Sequence, residues 1–274
     1  MKLSIITINR NNAAGLEKTM QSVASQTCKE FEYVVVDGAS TDDSVEVIKR
    51  LAPQFGERLK WISEPDKGIY NGMNKGIRMA SGEYCQFLNS GDFLASDDVV
   101  KNMFLALEQK GEPDIMYGNM KKVMPNGSSF IDKGGATDDV TLNKFYHGCL
   151  NHGPAYIRRS LFDVYGYYDE TLKICSDWKF YLQSIVLGKA TVRYVDLLVT
   201  VYDMGGISET RKDILDEERS RLLKELIPAG ILKDYDKYHD VMGQYDRLRH
   251  HHLWGMVRFV ERVLFKLEKW HLLK

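Results

Sequence analysis

The chain opens with a run that is apolar on both faces, residues 3–8, and passes into Leu16, Met20, Val23 and Ala24 at helical spacing. The alternation repeats. Runs 31–36, 59–62 and 84–88 predict further strands covered on both sides. Between them lie two helical stripes, Val45, Ile48, Leu51 and Ala52 behind the capping candidates Ser40 and Thr41, then Ile69, Met73, Ile77 and Ala80. Val100, Phe104 and Leu107 follow Ser96 as a fourth helix. Short strands alternating with amphipathic helices predict an α/β fold of βαβ units with a largely parallel sheet flanked by helices.

From residue 115 the pattern changes. Residues 115–124, the Pro125-Asn126-Gly127 turn and 128–132 predict a hairpin, so the sheet becomes mixed. After a polar stretch at 133–139, the sequence predicts a helix near 160–165, another over 176–187 and a strand over 191–201. Residues 213–274 read as a C-terminal helical appendage, interrupted near Pro228-Ala229-Gly230, to a sheet domain spanning 1–212.

Composition narrows the classes. The 274 residues are 44% apolar and 27% charged, in the range of folded globular chains rather than disordered ones. A net charge of −1 gives no global field for nucleic acid. Cys28, Cys85, Cys149 and Cys175 lack metal-ligand spacing, so reduced thiols are expected. The N-terminus has too short an apolar core for a signal peptide, and no run approaches the roughly 20 apolar residues of a spanning helix. A cytoplasmic protein is expected, with any membrane contact peripheral.

In open α/β sheets, ligands bind beyond the carboxyl ends of the strands. Here those ends read Thr7-Ile8-Asn9-Arg10-Asn11, Val36-Asp37-Gly38-Ala39-Ser40-Thr41-Asp42 and Leu88-Asn89-Ser90-Gly91-Asp92. Neither a P-loop nor a dinucleotide-binding GxGxxG turn occurs, which argues against an ATPase and an ordinary dehydrogenase.

Together with Glu64-Pro65-Asp66-Lys67-Gly68-Ile69-Tyr70-Asn71-Gly72-Met73-Asn74-Lys75-Gly76, Asn151-His152, Ser176-Asp177 and Gly205-Gly206-Ile207-Ser208, these strings resemble glycosyltransferase family 2. The resemblance covers about the first 210 residues and implies the GT-A fold, a Rossmann-like sheet with a nucleotide-sugar-binding half over 1–112 and an acceptor half over 113–212. It implies an inverting enzyme that moves a sugar from a nucleoside diphosphate donor, UDP-linked by expectation, to a hydroxyl of a glycan or lipid-linked acceptor in surface polysaccharide synthesis. A nucleotide-sugar-binding module without turnover is the alternative, and release of pyrophosphate would instead identify a nucleotidyltransferase.

The resemblance assigns residues as follows. Thr7, Asn9, Asp37, Asp66 and Asn74 would line the nucleotide-sugar pocket, the alternative for Asp37 being a cap of its own turn. Asp92 would ligate a divalent cation, Mn²⁺ or Mg²⁺, with Asn89 as a neutral neighbour. The family's acidic pair is reduced here to Asn89-Ser90-Gly91-Asp92, which leaves metal dependence open. Asp177 matches the base that deprotonates the acceptor hydroxyl. His152 and Trp178 fall on the acceptor side, where His152 could orient the acceptor or satisfy a carbonyl and Trp178 could face a sugar or the core. Residues 205–208 with Arg211 would close over the diphosphate.

From residue 246 to 274 there are seven Lys/Arg against three Asp/Glu, interleaved with Leu253, Trp254, Val257, Val260, Leu264, Leu267 and Trp270. This basic amphipathic helix could meet an anionic inner leaflet, its own domain or a second copy in a homo-oligomer. His250-His251-His252 implies neither a tag nor a zinc site.

Overall fold

The computed structural model describes residues 1–204, 210–250 and 254–269. The chain divides into two units, Met1–Glu218 and Arg219–Lys274. The first begins with the predicted alternation: β1 (Leu3–Asn9), α1 (Ala13–Ala24), β2 (Phe31–Asp37), α2 (Ser44–Leu51), β3 (Leu59–Ser63), α3 (Ile69–Met79) and β4 (Tyr84–Phe87). All of β2 and β4 is buried, which is why their sequences show no alternation of polar and apolar positions. One correction concerns the cap of α2. Asp43 precedes the helix, while the Ser40 hydroxyl is taken by Asp37.

β5 (Phe93–Leu94), α4 (Val99–Gln109), β6 (Ile115–Val123) and β7 (Ser129–Asp132) follow, the last two forming the expected hairpin. Then come α5 (Leu142–His147), β8 (Ala155–Arg158), α6 (Ser160–Tyr165), α7 (Ser176–Tyr181) with a π-helical turn over Leu182–Val186, and β9 (Val192–Asp203). The sequence pattern does not reveal β5, α5 or β8. They are two, six and four residues long, too short to display a period.

The sheet order is β3-β2-β1-β4-β8-β6-β9-β5, with β7 paired to β6. β3, β2, β1 and β4 are mutually parallel, β8 runs antiparallel to both β4 and β6, and β6 is parallel to β9. The chain steps outward from β1 to β3 and then returns to place β4 on the other side of β1. The topological switch point therefore lies between β1 and β4, and their carboxyl ends flank a crevice where such sheets take ligands.

Helix α3 lies unusually close to the sheet. A Cβ at Gly76 would sit 2.4 Å from Ile6 Cγ2, and one at Gly72 would sit 3.3 Å from Ile8 Cγ2. Two glycines four residues apart form a flat strip that β1 fills, and this fixes the level at which the start of α3 meets the strand ends.

The helices α8 (Lys212–Leu226), α9 (Ala229–Arg249) and α10 (Trp254–Lys269) complete the described chain, α8 running across the divide between the units. Pro228 separates α8 from α9, because proline cannot continue the ladder. Among the described residues no helix is long and apolar enough to cross a membrane. No disulfide links the four cysteines.

Candidate active site

At the ends of β1 and β2, in-register Asn9 and Asp37 meet, with Asn9 Nδ2 donating to Asp37 Oδ1 at 2.8 Å. The same carboxylate accepts from the Ser40 hydroxyl, the Ser40 N–H at 2.9 Å and Ser63 Oγ at 2.6 Å. Burial alone would raise its pKa, but these donors outweigh it and hold the carboxyl below its ordinary value. Asp37 is 0% exposed, so its charge organises the loop from within the wall, and the turn-capping alternative describes its contact to Ser40. Asn9 Oδ1, in contrast, is buried without a partner among the described residues.

Asp66 closes this corner. Its carboxylate accepts from the Gly68 N–H at 3.2 Å, lies 3.7 Å from the Arg10 guanidinium and covers Gly38, where a Cβ would be 2.3 Å from Oδ2. Two residues here, Asn11 at φ 52° and Ala39 at φ 55°, hold left-handed backbone that favours glycine.

Across the switch point, the loop after β4 is stapled to α1 by the buried Thr19. Its hydroxyl accepts from Gly91 N–H at 2.9 Å and lies 2.6 Å from the Asp92 carbonyl and 3.0 Å from the Gly15 carbonyl. Asn12 caps α1 at Gly15 and donates to the Ser90 carbonyl at 3.1 Å. The loop presents Asn89 and Asp92, and Asn89 Oδ1 is another buried acceptor without a partner among the described residues.

Burial pushes the Asp92 carboxyl up to about 7; the Asp203 N–H and Lys18 oppose the rise, and the Asp203 carboxylate adds to it. Asp203, at the end of β9, is a site residue that sequence reading missed, although an acid at a strand end was the available signal. Among the described residues no three His, Cys, Asp or Glu side chains form a metal cluster. Mg²⁺ and Mn²⁺ in phosphate chemistry need only one or two protein carboxylates beside the substrate oxygens, so Asp92 with Asp203 nearby fits such an ion.

A third candidate corner is built on the turn leading into α7. Tyr70, in the first turn of α3, donates to the Ile174 carbonyl and lies 3.1 Å from Asp177 Oδ1. From the other direction, the Glu218 carboxylate on α8 accepts the backbone N–H groups of Lys173 at 2.7 Å and of Ile174 and Cys175 at 3.0 Å. The turn carrying Asp177 is thus clasped from two sides. His152 stacks on Phe87, the last residue of β4, with ring centroids 4.7 Å apart, and shares a 2.7 Å hydrogen bond with the Tyr168 hydroxyl. Burial holds the imidazole pKa below its usual value, opposed by the nearby Asp177. His152, Asp177 and Tyr70 therefore share one corner beside the end of β4. Tyr70 and Glu218 were not singled out from sequence, since nothing local marks partners 107 and 44 positions away.

Other candidates are placed differently. Thr7 is 0% exposed, and its hydroxyl donates to Leu88 O at 2.7 Å and accepts from Tyr33 at 2.9 Å, so it braces the strands rather than lining a pocket. Asn74 is 2% exposed and bridges the two halves through the Tyr168 backbone and Glu170. Trp178 is 1% exposed and donates to the Phe145 and Gly148 carbonyls; it belongs to the core and offers no face to a sugar. Arg211 is exposed and paired with Asp213 at 2.8 Å. Residues 205–208, expected to close over the diphosphate, lie outside the described residues, as do His251, His252, Leu253 and Trp270.

Residues 4–164 match the family model described as glycosyl transferase family 2. A PGL/p-HBAD biosynthesis glycosyltransferase of Mycobacterium bovis is 33% identical over 229 residues, covering 83% of this chain and 86% of that protein. Among solved structures, TarS 1–349 of S. aureus in complex with UDP-GlcNAc superposes with a TM-score of 0.63 at 22% identity, over 74% of this chain and 58% of the length of that one. The mannosyltransferase PcManGT of Pyrobaculum calidifontis, in complex with GDP-Man and Mn²⁺, gives a TM-score of 0.54 at 19% identity, over 73% and 56%. With a family match over more than half its length and a mixed sheet flanked by helices like that of its GT-A neighbours, the chain belongs to glycosyl transferase family 2 and is a glycosyltransferase.

Proposed function

We propose that the enzyme transfers a sugar, with inversion, from a UDP-linked donor to a hydroxyl of a glycan or lipid-linked acceptor in surface polysaccharide synthesis. The observation that carries this reading is the convergence of three acidic corners on the carboxyl ends of neighbouring strands: Asp37 with Asp66, Asp92 with Asp203, and Asp177 beside His152. Asn9 and Asn89 add two buried amide oxygens that a uracil N–H or ribose hydroxyls would satisfy. Asp66 and the loop ordered by Asp37 would hold the nucleoside, and Asp92 would face the diphosphate. TarS, whose fold is similar, was solved with UDP-GlcNAc, which favours a uridine donor.

In the reaction, the acceptor oxygen forms a bond to the anomeric carbon while its proton passes to Asp177. The bond from that carbon to the diphosphate oxygen breaks, and its electron pair leaves with the diphosphate. Tyr70, whose hydroxyl donates to the Ile174 carbonyl, stands 3.1 Å from Asp177 Oδ1 and forms the wall beside it. Bound at Asp92, Mn²⁺ or Mg²⁺ would spread the charge that accumulates on the leaving group. The test is a donor panel with and without Mn²⁺, reading UDP release and product anomer by NMR. Inverted product with UDP release is expected; retained configuration, or transfer with pyrophosphate release, overturns the reading.

A further inference from the structure

Helix α10 presents an apolar face that the proposed reaction does not use. Met256, Phe259, Val260, Val263 and Leu264 are 65, 69, 52, 40 and 46% exposed. At 3.6 residues per turn, these positions with Val257 and Leu267 span an arc of roughly 160°. Along one edge of that arc Arg258, Arg262 and Lys266 recur every fourth residue, all exposed, while Glu261 lies beyond the opposite edge.

Two occupants compete for such a face, and the flanks distinguish them. Met256, Val260, Val263 and Leu267 alone would make the narrow seam of a two-stranded coil, whose bordering positions are ordinarily charged. Here the borders include Val257, Leu264 and Phe259, so the arc is far wider than a seam. An antiparallel second copy would also bring one cationic stripe toward another, and a parallel one would set the stripe against the apolar margin of Val257 and Leu264. A broad apolar arc with cations at one margin matches a helix lying flat at a bilayer surface, with apolar side chains among the acyl chains and guanidinium groups at the headgroups. At about 24 Å and with charges throughout, α10 is too short and polar to span a bilayer.

We propose that α10 lies along an anionic lipid surface, with Arg258, Arg262 and Lys266 facing the headgroups. The binding stands on the helix alone; that it brings the enzyme to a lipid-borne acceptor rests on the function proposed above.

The test is flotation of the full-length chain with vesicles of phosphatidylcholine, and of phosphatidylcholine with phosphatidylglycerol, at low and high salt. Binding to the anionic vesicles should exceed binding to the neutral ones by at least about tenfold and weaken with salt. The combined variant Arg258→Glu, Arg262→Glu, Lys266→Glu, on exposed positions, should bind at least about 100-fold more weakly, roughly fivefold for each cation lost before the added repulsion of the carboxylates. Equal binding to both vesicle types, no binding to either, or unchanged binding by the charge variant overturns the proposal. So does a stable dimer that Val260→Asp dissociates while vesicles go unbound. Transfer measured on the same preparations separates the two readings. Active enzyme that ignores vesicles overturns only the lipid proposal, and vesicle binding without transfer from any nucleotide sugar counts only against the proposed function.

Discussion

The two ends of the same four parallel strands each hold a buried, well-matched carboxylate but differ in the polar groups around it. At the amino ends, Glu32 of β2 is 2% exposed, and its carboxylate is matched by Ser4 at 2.6 Å, Lys60 at 2.7 Å, the Ser81 hydroxyl at 2.8 Å and the N–H groups of Ser81 and Gly82. At the carboxyl ends, Asp37 is matched as fully, yet its neighbours are not. Asn9 and Asn89 keep partnerless oxygens, Asp92 is pushed up to about 7, and Asn11 and Ala39 hold unfavourable backbone. One end is arranged for stability, and the other retains unmet polar capacity of the kind a ligand can satisfy.

Breaking the chemistry at one end should leave folding untouched. Asp177→Asn is expected to lower kcat by about 10³-fold or more, equivalent to about 4 kcal/mol. Melting temperature and UDP affinity by calorimetry should be nearly unchanged. If transfer survives, Asp177 is not the base.

Breaking the other end should do the reverse. Burial alone would raise the Glu32 carboxyl, but the bonds from Lys60, Ser4 and Ser81 bring it from 4.5 down to about 2. A depressed folded-state pKa contributes stability that is present above pH 4.5 and lost as pH falls from there toward 2. Glu32→Gln should therefore cost about 3 kcal/mol at neutral pH, or about 6–12 °C in Tm, and flatten the acid limb of the stability profile. Specific activity of the folded protein should stay the same. A pH profile identical to wild type would show that Glu32 is not what the amino ends rely on.

How much of this contrast was legible in the sequence depends on the range of each interaction. The strands 3–8, 31–36 and 84–88 could be read because burial on both faces leaves a local mark, whereas 59–62, read the same way, forms the half-buried edge strand β3; acids at the strand ends marked the candidate site. Trp178 was misplaced because neighbours on a helix point about 100° apart, so proximity to Asp177 in sequence says little about shared direction. Thr7 shares the strand face of Asn9, but its burial depends on Tyr33 and Leu88, which only pairing of the strands supplies. Glu218 and Tyr70 act across distances that no local pattern encodes.

Two smaller effects would sharpen the contrast within the site itself. Thr19→Val removes the staple of the loop carrying Asp92 while keeping its volume. Activation by Mn²⁺ should need about tenfold more metal, or about 1.4 kcal/mol, with Thr19→Ser restoring it. An unchanged metal requirement would show that the loop holds itself. Ala39→Gly relieves backbone at φ 55° and should raise stability by about 0.5–1 kcal/mol in denaturant melts, with UDP binding a few-fold weaker. Lower stability would mean that the strain lies elsewhere.

The clasp of Glu218 on the backbone of Lys173, Ile174 and Cys175 has a consequence for biosynthesis. The ribosome releases Asp37 and Asp92 long before Glu218, so a nascent or proteolysed chain ending at 212 would carry Asp177 without the carboxylate that gathers the turn before it. A fragment that keeps this turn clasped must run through residue 218.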